Sequence, residues 1–104
     1  MESPVNLEII QNIAILTIRN PPVNALSHAV RLNIMSALNN AERNDSISAI
    51  IVMGEGNTFP AGADITEFAG KGSEEIREIF RDNAIEAIWN LSKPTIAMVD
   101  GFAL

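Results

Sequence analysis

The chain has 104 residues, 47% of them hydrophobic and 19% charged, a globular composition that fits one small domain or part of a larger one. Its formal net charge is −6 and its seven basic residues are scattered, which argues against nucleic-acid binding. An anionic ligand would have to be held locally, by backbone N–H groups and a few placed cations.

The first apolar segment, Val5 to Ile10, is followed by a polar Gln11-Asn12 turn and by Ile13-Ala14-Ile15-Leu16-Thr17-Ile18, which reads as a strand. Two strands around a two-residue polar turn predict a hairpin. Asn20-Pro21-Pro22 ends the second strand, because neither proline can donate to a ladder. Ser27 is placed to cap a helix over 28–43, whose Val30, Ile34, Leu38 and Ala41 recur at helical spacing. Ala49-Ile50-Ile51-Val52-Met53 is a continuous apolar run, as expected of a strand covered on both faces. Strand, helix, strand in this order predicts a right-handed crossover and parallel pairing.

A glycine-rich loop, Gly54 to Gly62, comes next, and Asp64-Ile65-Thr66-Glu67-Phe68 has the length of one helical turn. Ser73 is expected to cap a second long helix with Ile76, Phe80, Ala84, Ala87, Ile88 and Leu91 on one face, ended by Lys93-Pro94. Thr95-Ile96-Ala97-Met98-Val99 is another run of buried-strand type, and Asp100-Gly101 begins a turn. The whole is an α/β pattern. Ligands of open parallel sheets bind at the carboxyl ends of the strands, so residues 54–65 and 100–104 are expected on one side.

The segment with the most chemical content is Phe59-Pro60-Ala61-Gly62-Ala63-Asp64-Ile65. Its glycine allows unusual dihedrals and close approach of a ligand. The first N–H groups of a helix lack intrahelical partners and can meet an anion or a developing oxyanion. On spacing alone the ordinary reading stands beside this one: Asp64 caps a short helix and Gly62 makes a tight turn.

Four blocks together carry a resemblance. They are Asn20-Pro21-Pro22-Val23-Asn24-Ala25-Leu26-Ser27, the Ala49–Val52 strand with its glycine loop, the Phe59–Ile65 segment, and Lys93-Pro94-Thr95-Ile96-Ala97-Met98-Val99-Asp100-Gly101-Phe102-Ala103-Leu104. In this order and spacing, over essentially the whole chain, they resemble the enoyl-CoA hydratase/isomerase (crotonase) superfamily. The Asn-Pro-Pro-Val-Asn-Ala-Leu form is most similar to the hydratase part of multifunctional fatty-acid β-oxidation enzymes.

The resemblance implies the N-terminal part of a crotonase (ClpP-like) ββα spiral fold, with residues 1–104 an incomplete portion of a single domain. It implies that Ala63 supplies one backbone N–H of an oxyanion hole for a thioester carbonyl. It also implies that Ala61, Gly62, Ala63, Asp64 and Ile65, with Ala25, lie against an acyl-CoA substrate. Pro60 stands where the family often has Cys, Ser or Ala. The family's glycine run with the second N–H, and the two glutamates that handle protons, would follow Leu104. The expected activity of the longer protein is hydration of trans-2-enoyl-CoA in fatty-acid β-oxidation. Double-bond isomerisation is the nearest alternative, and a catalytically incomplete binding or assembly module is a further one. No cofactor is implied, coenzyme A being part of the substrate. The partners implied are the acyl-CoA and either further copies in a trimer-based homo-oligomer or the rest of a multifunctional chain.

Other candidates carry less. The chain has no cysteine, and His28, its one histidine, sits in no metal-ligand spacing, so no metal site is expected. Ser27-His28 is not a hydrolase pair, since adjacent side chains diverge. Gly54-Glu55-Gly56 lacks the third glycine of a dinucleotide fingerprint. Asp64 and Glu67 could pose as paired carboxylates but read as surface groups favoured at a helix start; Arg19, Lys71 and Lys93 could meet CoA phosphates, but the favoured reading is that they are solvated cations. There is no apolar run of about 18 residues to span a membrane, and Met1-Glu2-Ser3-Pro4 lacks the features of a secretion signal. A cytoplasmic location is expected, or a peroxisomal or mitochondrial matrix one in a eukaryote.

Overall fold

The computed structural model describes residues 3–79 and 84–103. The hairpin forms as expected, from strand β1 (Val5–Ile10) and strand β2 (Ile13–Ile18). They pair antiparallel, Val5 opposite Ile18 and Ile10 opposite Ile13, and Gln11 turns the chain at φ 56°. Helix α1 (His28–Arg43) follows, its first turn capped by Ser27, whose hydroxyl accepts the Val30 N–H at 3.3 Å. Strand β3 (Ala49–Gly54) then lies parallel to β2, and strand β4 (Thr95–Ala97) lies parallel to β3. The sheet order is β1-β2-β3-β4.

The core lies between one face of this sheet and α1. The period-two side of β2 and β3 supplies Ala14, Leu16, Ile18, Ile50 and Val52, and the helical stripe supplies Val30, Ile34, Leu38 and Ala41, all buried. Each large side chain removed from water here stabilises the fold by about 1.5–3 kcal/mol. Arg31, a charged residue on the same helix, is also buried.

Between β3 and β4 the chain makes a 3₁₀ turn (Ile65–Phe68), helix α2 (Ser73–Ile79) and helix α3 (Ala84–Trp89). Residues 80–83, with the Phe80 of the expected second helix, lie outside the described residues. Ser73 is the first residue of α2 rather than its cap; the Ile76 N–H donates to the Gly72 carbonyl at 3.0 Å. Ala84 is buried, and Ala87, Ile88 and Leu91 pack against the core, as the helical spacing predicts. None of the described helices is long and apolar enough to cross a membrane.

The expected burial of β3 and β4 on both faces is corrected. Ile51 and Met53 are only half-buried, and Ile96, Met98 and Val99 are exposed at 54%, 44% and 51%. The apolar run is there, but α1 covers one face of the sheet and β4 is its outer strand.

Candidate active site

Parallel β2, β3 and β4 deliver their carboxyl ends to one edge of the molecule. The chain leaving each strand is tied to its neighbours there. Asn24, 3% exposed, is the main stitch. Its side-chain oxygen accepts the Asn20 N–H at 2.9 Å, and its Nδ2 donates to the carbonyls of Glu55 at 3.0 Å and Thr58 at 2.8 Å. Oxygen and both amide hydrogens are thereby used. The backbone of Asn24 is left-handed, at φ 54°, a conformation that asparagine tolerates better than most residues.

The loop after β4 joins the same cluster. The Phe59 N–H donates to the Phe102 carbonyl at 2.7 Å, and the Phe102 N–H to the Asn57 carbonyl at 2.9 Å. Gly101 is needed for this contact: at φ 84°, a Cβ there would lie 2.1 Å from the Asn57 oxygen. Residues 54–59 and 101–102 thus share one side, as expected.

The small-residue strap follows. The Ala61 N–H donates to the Val23 carbonyl at 3.2 Å, and the Leu26 N–H to the Gly62 carbonyl at 2.7 Å. Gly62 has φ 106° and open space where a Cβ would stand, so the dihedral, not crowding, is what calls for glycine. Leu26 and Ala63 form an isolated parallel bridge. In that register Leu26 spends its N–H on the strap, and Ala63 turns its own N–H away from Leu26. Asp64 then caps the 3₁₀ turn, accepting the Thr66 N–H at 3.0 Å and its hydroxyl at 2.6 Å. The Thr66 hydroxyl and N–H bonds hold the Asp64 carboxyl below its ordinary pKa. Ile65 is 77% exposed beside it.

The six positions singled out from sequence are therefore together. Ala61 to Ile65 form the strap, and Ala25 precedes the Leu26 that bonds to it. Asp64 is a cap, so the ordinary reading holds for that side chain, while the neighbouring Ala63 N–H faces away from Leu26. Two readings of charged residues are corrected. Glu67 is not simply a dipole-favoured group of its own short turn: it accepts the His28 N–H at 2.7 Å, at the start of α1, and pairs with Arg31 at 3.2 Å. Lys93 is not merely solvated: its Nζ donates to the carbonyls of Ala41 at 2.7 Å and Asn44 at 2.6 Å, completing the last turn of α1. Arg19 forms an exposed ion pair with Glu55 at 2.8 Å. Sequence reasoning missed Asn24 and Arg31. The only signal for Asn24 was its place after Pro-Pro in a turn; Arg31 stands at helical spacing with Ile34, Leu38 and Ala41, but its charge argued against burial.

A model of the enoyl-CoA hydratase/isomerase family matches residues 8–104. The chain belongs to that family. It is 40% identical over 103 residues to a probable enoyl-CoA hydratase of Bacillus subtilis (strain 168), covering 96% of this chain and 40% of that protein. It is 38% identical over 94 residues to the peroxisomal bifunctional enzyme of Danio rerio, covering 90% of this chain and 12% of that one. The crystal structure of an enoyl-CoA hydratase/isomerase from Xanthobacter autotrophicus Py2 superposes with a TM-score of 0.89 at 30% identity, over 97% of this chain and 40% of that chain. The α/β architecture is thus that of the crotonase fold. The chain spans 40% of the length of the Bacillus relative.

Proposed function

We propose that residues 1–104 are the N-terminal portion of an enoyl-CoA hydratase domain and that the longer protein hydrates trans-2-enoyl-CoA to 3-hydroxyacyl-CoA. The observation that carries this reading is the Ala63 N–H turned away from Leu26, on a strap pinned at the carboxyl ends of parallel strands. Addition of water across the double bond drives negative charge onto the thioester oxygen. A backbone donor fixed in advance at that oxygen stabilises the charge without reorganising, and one such donor is worth about 3 kcal/mol in the transition state. Only an N–H is required of residue 63, so alanine suffices.

In this reading Ala25, Ala61, Asp64 and Ile65 offer a mostly neutral surface to the CoA moiety, which suits an acidic chain binding an anionic ligand. In this reading the longer protein supplies the second donor and the two proton-handling glutamates after Leu104, and no cofactor is required. Family membership and the hydratase named in the Bacillus relative support the reaction class.

The test is to join residues 1–104 to the remainder of the Bacillus relative's domain and assay the chimera with trans-2-butenoyl-CoA and 3-butenoyl-CoA. Hydration of the first substrate is expected, and none by residues 1–104 alone. A folded chimera that only shifts the double bond of the second would identify an isomerase. Turnover by residues 1–104 at the rate of an intact hydratase would contradict the part-domain reading.

A further inference from the structure

We infer that the Glu67–Arg31 pair is a latch that positions the Ala63 N–H; the inference rests on the donor role proposed above for Ala63. The strap's own side chains hold it weakly. Ala61, Gly62 and Ala63 have side chains too small to anchor anything, and glycine carries the largest conformational entropy to be lost on ordering. Upstream of Ala63, the strap is tied by two backbone bonds, Ala61 to Val23 and Gly62 to Leu26. Downstream, the Leu26–Ala63 bridge sets the Asp64 N–H toward the Leu26 carbonyl, while the Asp64 side-chain bonds are internal to its own turn and fix the turn's shape, not its place.

Glu67 supplies an external side-chain tie for the turn that follows. One carboxylate oxygen accepts the His28 N–H at 2.7 Å, and the other accepts from Arg31 Nη1 at 3.2 Å. The same Nη1 donates to the Leu26 carbonyl at 2.6 Å. The guanidinium therefore touches both the turn after Ala63 and the residue whose N–H holds Gly62. Ala63 sits between two anchors that converge on residues 26–31. The Arg31 side chain is 6% exposed and that of Glu67 20%, so the pair is shielded and fixed in direction. Glu67 and Arg31 are positioning residues, acting on the substrate through the Ala63 amide.

Calorimetric titration of the 104-residue chain with butyryl-CoA and with the thioether S-butyl-CoA isolates this effect, because the two ligands differ only in the carbonyl. The wild-type chain should bind the thioester about three- to tenfold more tightly than the thioether, the effect of one added hydrogen bond. Glu67→Ala should abolish that ratio while leaving the thioether Kd within about twofold, and Arg31→Met should do the same. Glu67→Gln, which keeps an acceptor for the His28 N–H but loses the charge pair, should fall between. Should Glu67→Ala fail to fold, Glu67→Gln carries the comparison. A merely structural role would weaken both ligands equally, and that result, or an unchanged ratio in a folded variant, overturns the latch alone. A wild-type chain with no thioester preference overturns the donor role of Ala63, and the latch with it.

Discussion

The two faces of the sheet are built from the same residue types and are covered to different extents. On one, Ala14, Leu16 and Ile50 are fully buried under α1. On the other, Ile13, Ile15, Ile51 and Met53 are half-buried, and Ile96 is 54% exposed. Local sequence decides that a segment is a strand, but burial also needs a covering layer, and α1 covers one side only. Exposed apolar faces of this kind mark surfaces that meet further structure. That agrees with the proposal that the chain is part of a larger domain.

The sharpest way to break this contrast is to cut the same size of side chain from each face. Leu16→Ala should lower stability by about 2–5 kcal/mol. Ile96→Ala should cost less than about 1 kcal/mol, because half of that side chain is already in water. Urea denaturation of the two variants measures the difference, and equal losses would mean that the second face is covered too.

The strand-end loops form a third environment, buried but polar. Asn24→Ala strips three hydrogen bonds and leaves the Glu55 and Thr58 carbonyls short of a donor. The expected loss is about 2–3 kcal/mol. Asn24→Gly should recover about 1 kcal/mol of it by relieving the left-handed backbone. If the two variants denature alike, the dihedral contributes nothing.

At the strap, Gly62→Ala meets no neighbouring atom but must hold φ 106°. It should cost about 1–3 kcal/mol. Its effect on butyryl-CoA affinity should be larger than on the melting temperature of the sheet, since the strain is local. A wild-type affinity would show that the strap's shape does not matter to binding.

The smallest effect expected is at the surface contact between α1 and the segment before β4. Glu42 accepts the Ser92 N–H at 2.6 Å, and its pKa is lowered chiefly by the Ser92 hydroxyl bond. A carboxylate depressed in the folded state stabilises above its unfolded pKa, and that contribution is lost as pH falls through the depressed folded value. Stability should decline on acidification through this range, and Glu42→Gln should flatten the decline slightly. A steeper decline in the variant would reverse the sign of the effect.

Much of the fold was legible in the sequence, because its periodicities are clean. The α1 stripe, the β1–β2 hairpin and the parallel pairing all follow from spacing and turn chemistry. The Ala61–Ile65 strap was legible as a loop with a cap, and the role proposed for it came only from the four-block resemblance. What was hidden depends on distant partners. Lys93 meets Ala41 and Asn44 across about fifty positions of chain, and Glu67 meets Arg31 across 36. No local pattern encodes such pairings. Burial failed for β4 for the same reason, since an apolar run states what a strand can bury and not what lies over it.

The central claim is that the Ala63 amide meets a thioester carbonyl, and amide NMR of the ¹⁵N-labelled chain tests it most directly. Titration with butyryl-CoA should shift the Ala63 N–H downfield, as for a newly formed hydrogen bond, while S-butyl-CoA moves its strap neighbours and leaves Ala63 nearly in place. An Ala63 resonance that responds identically to both ligands, or to neither while the strap binds, would contradict it.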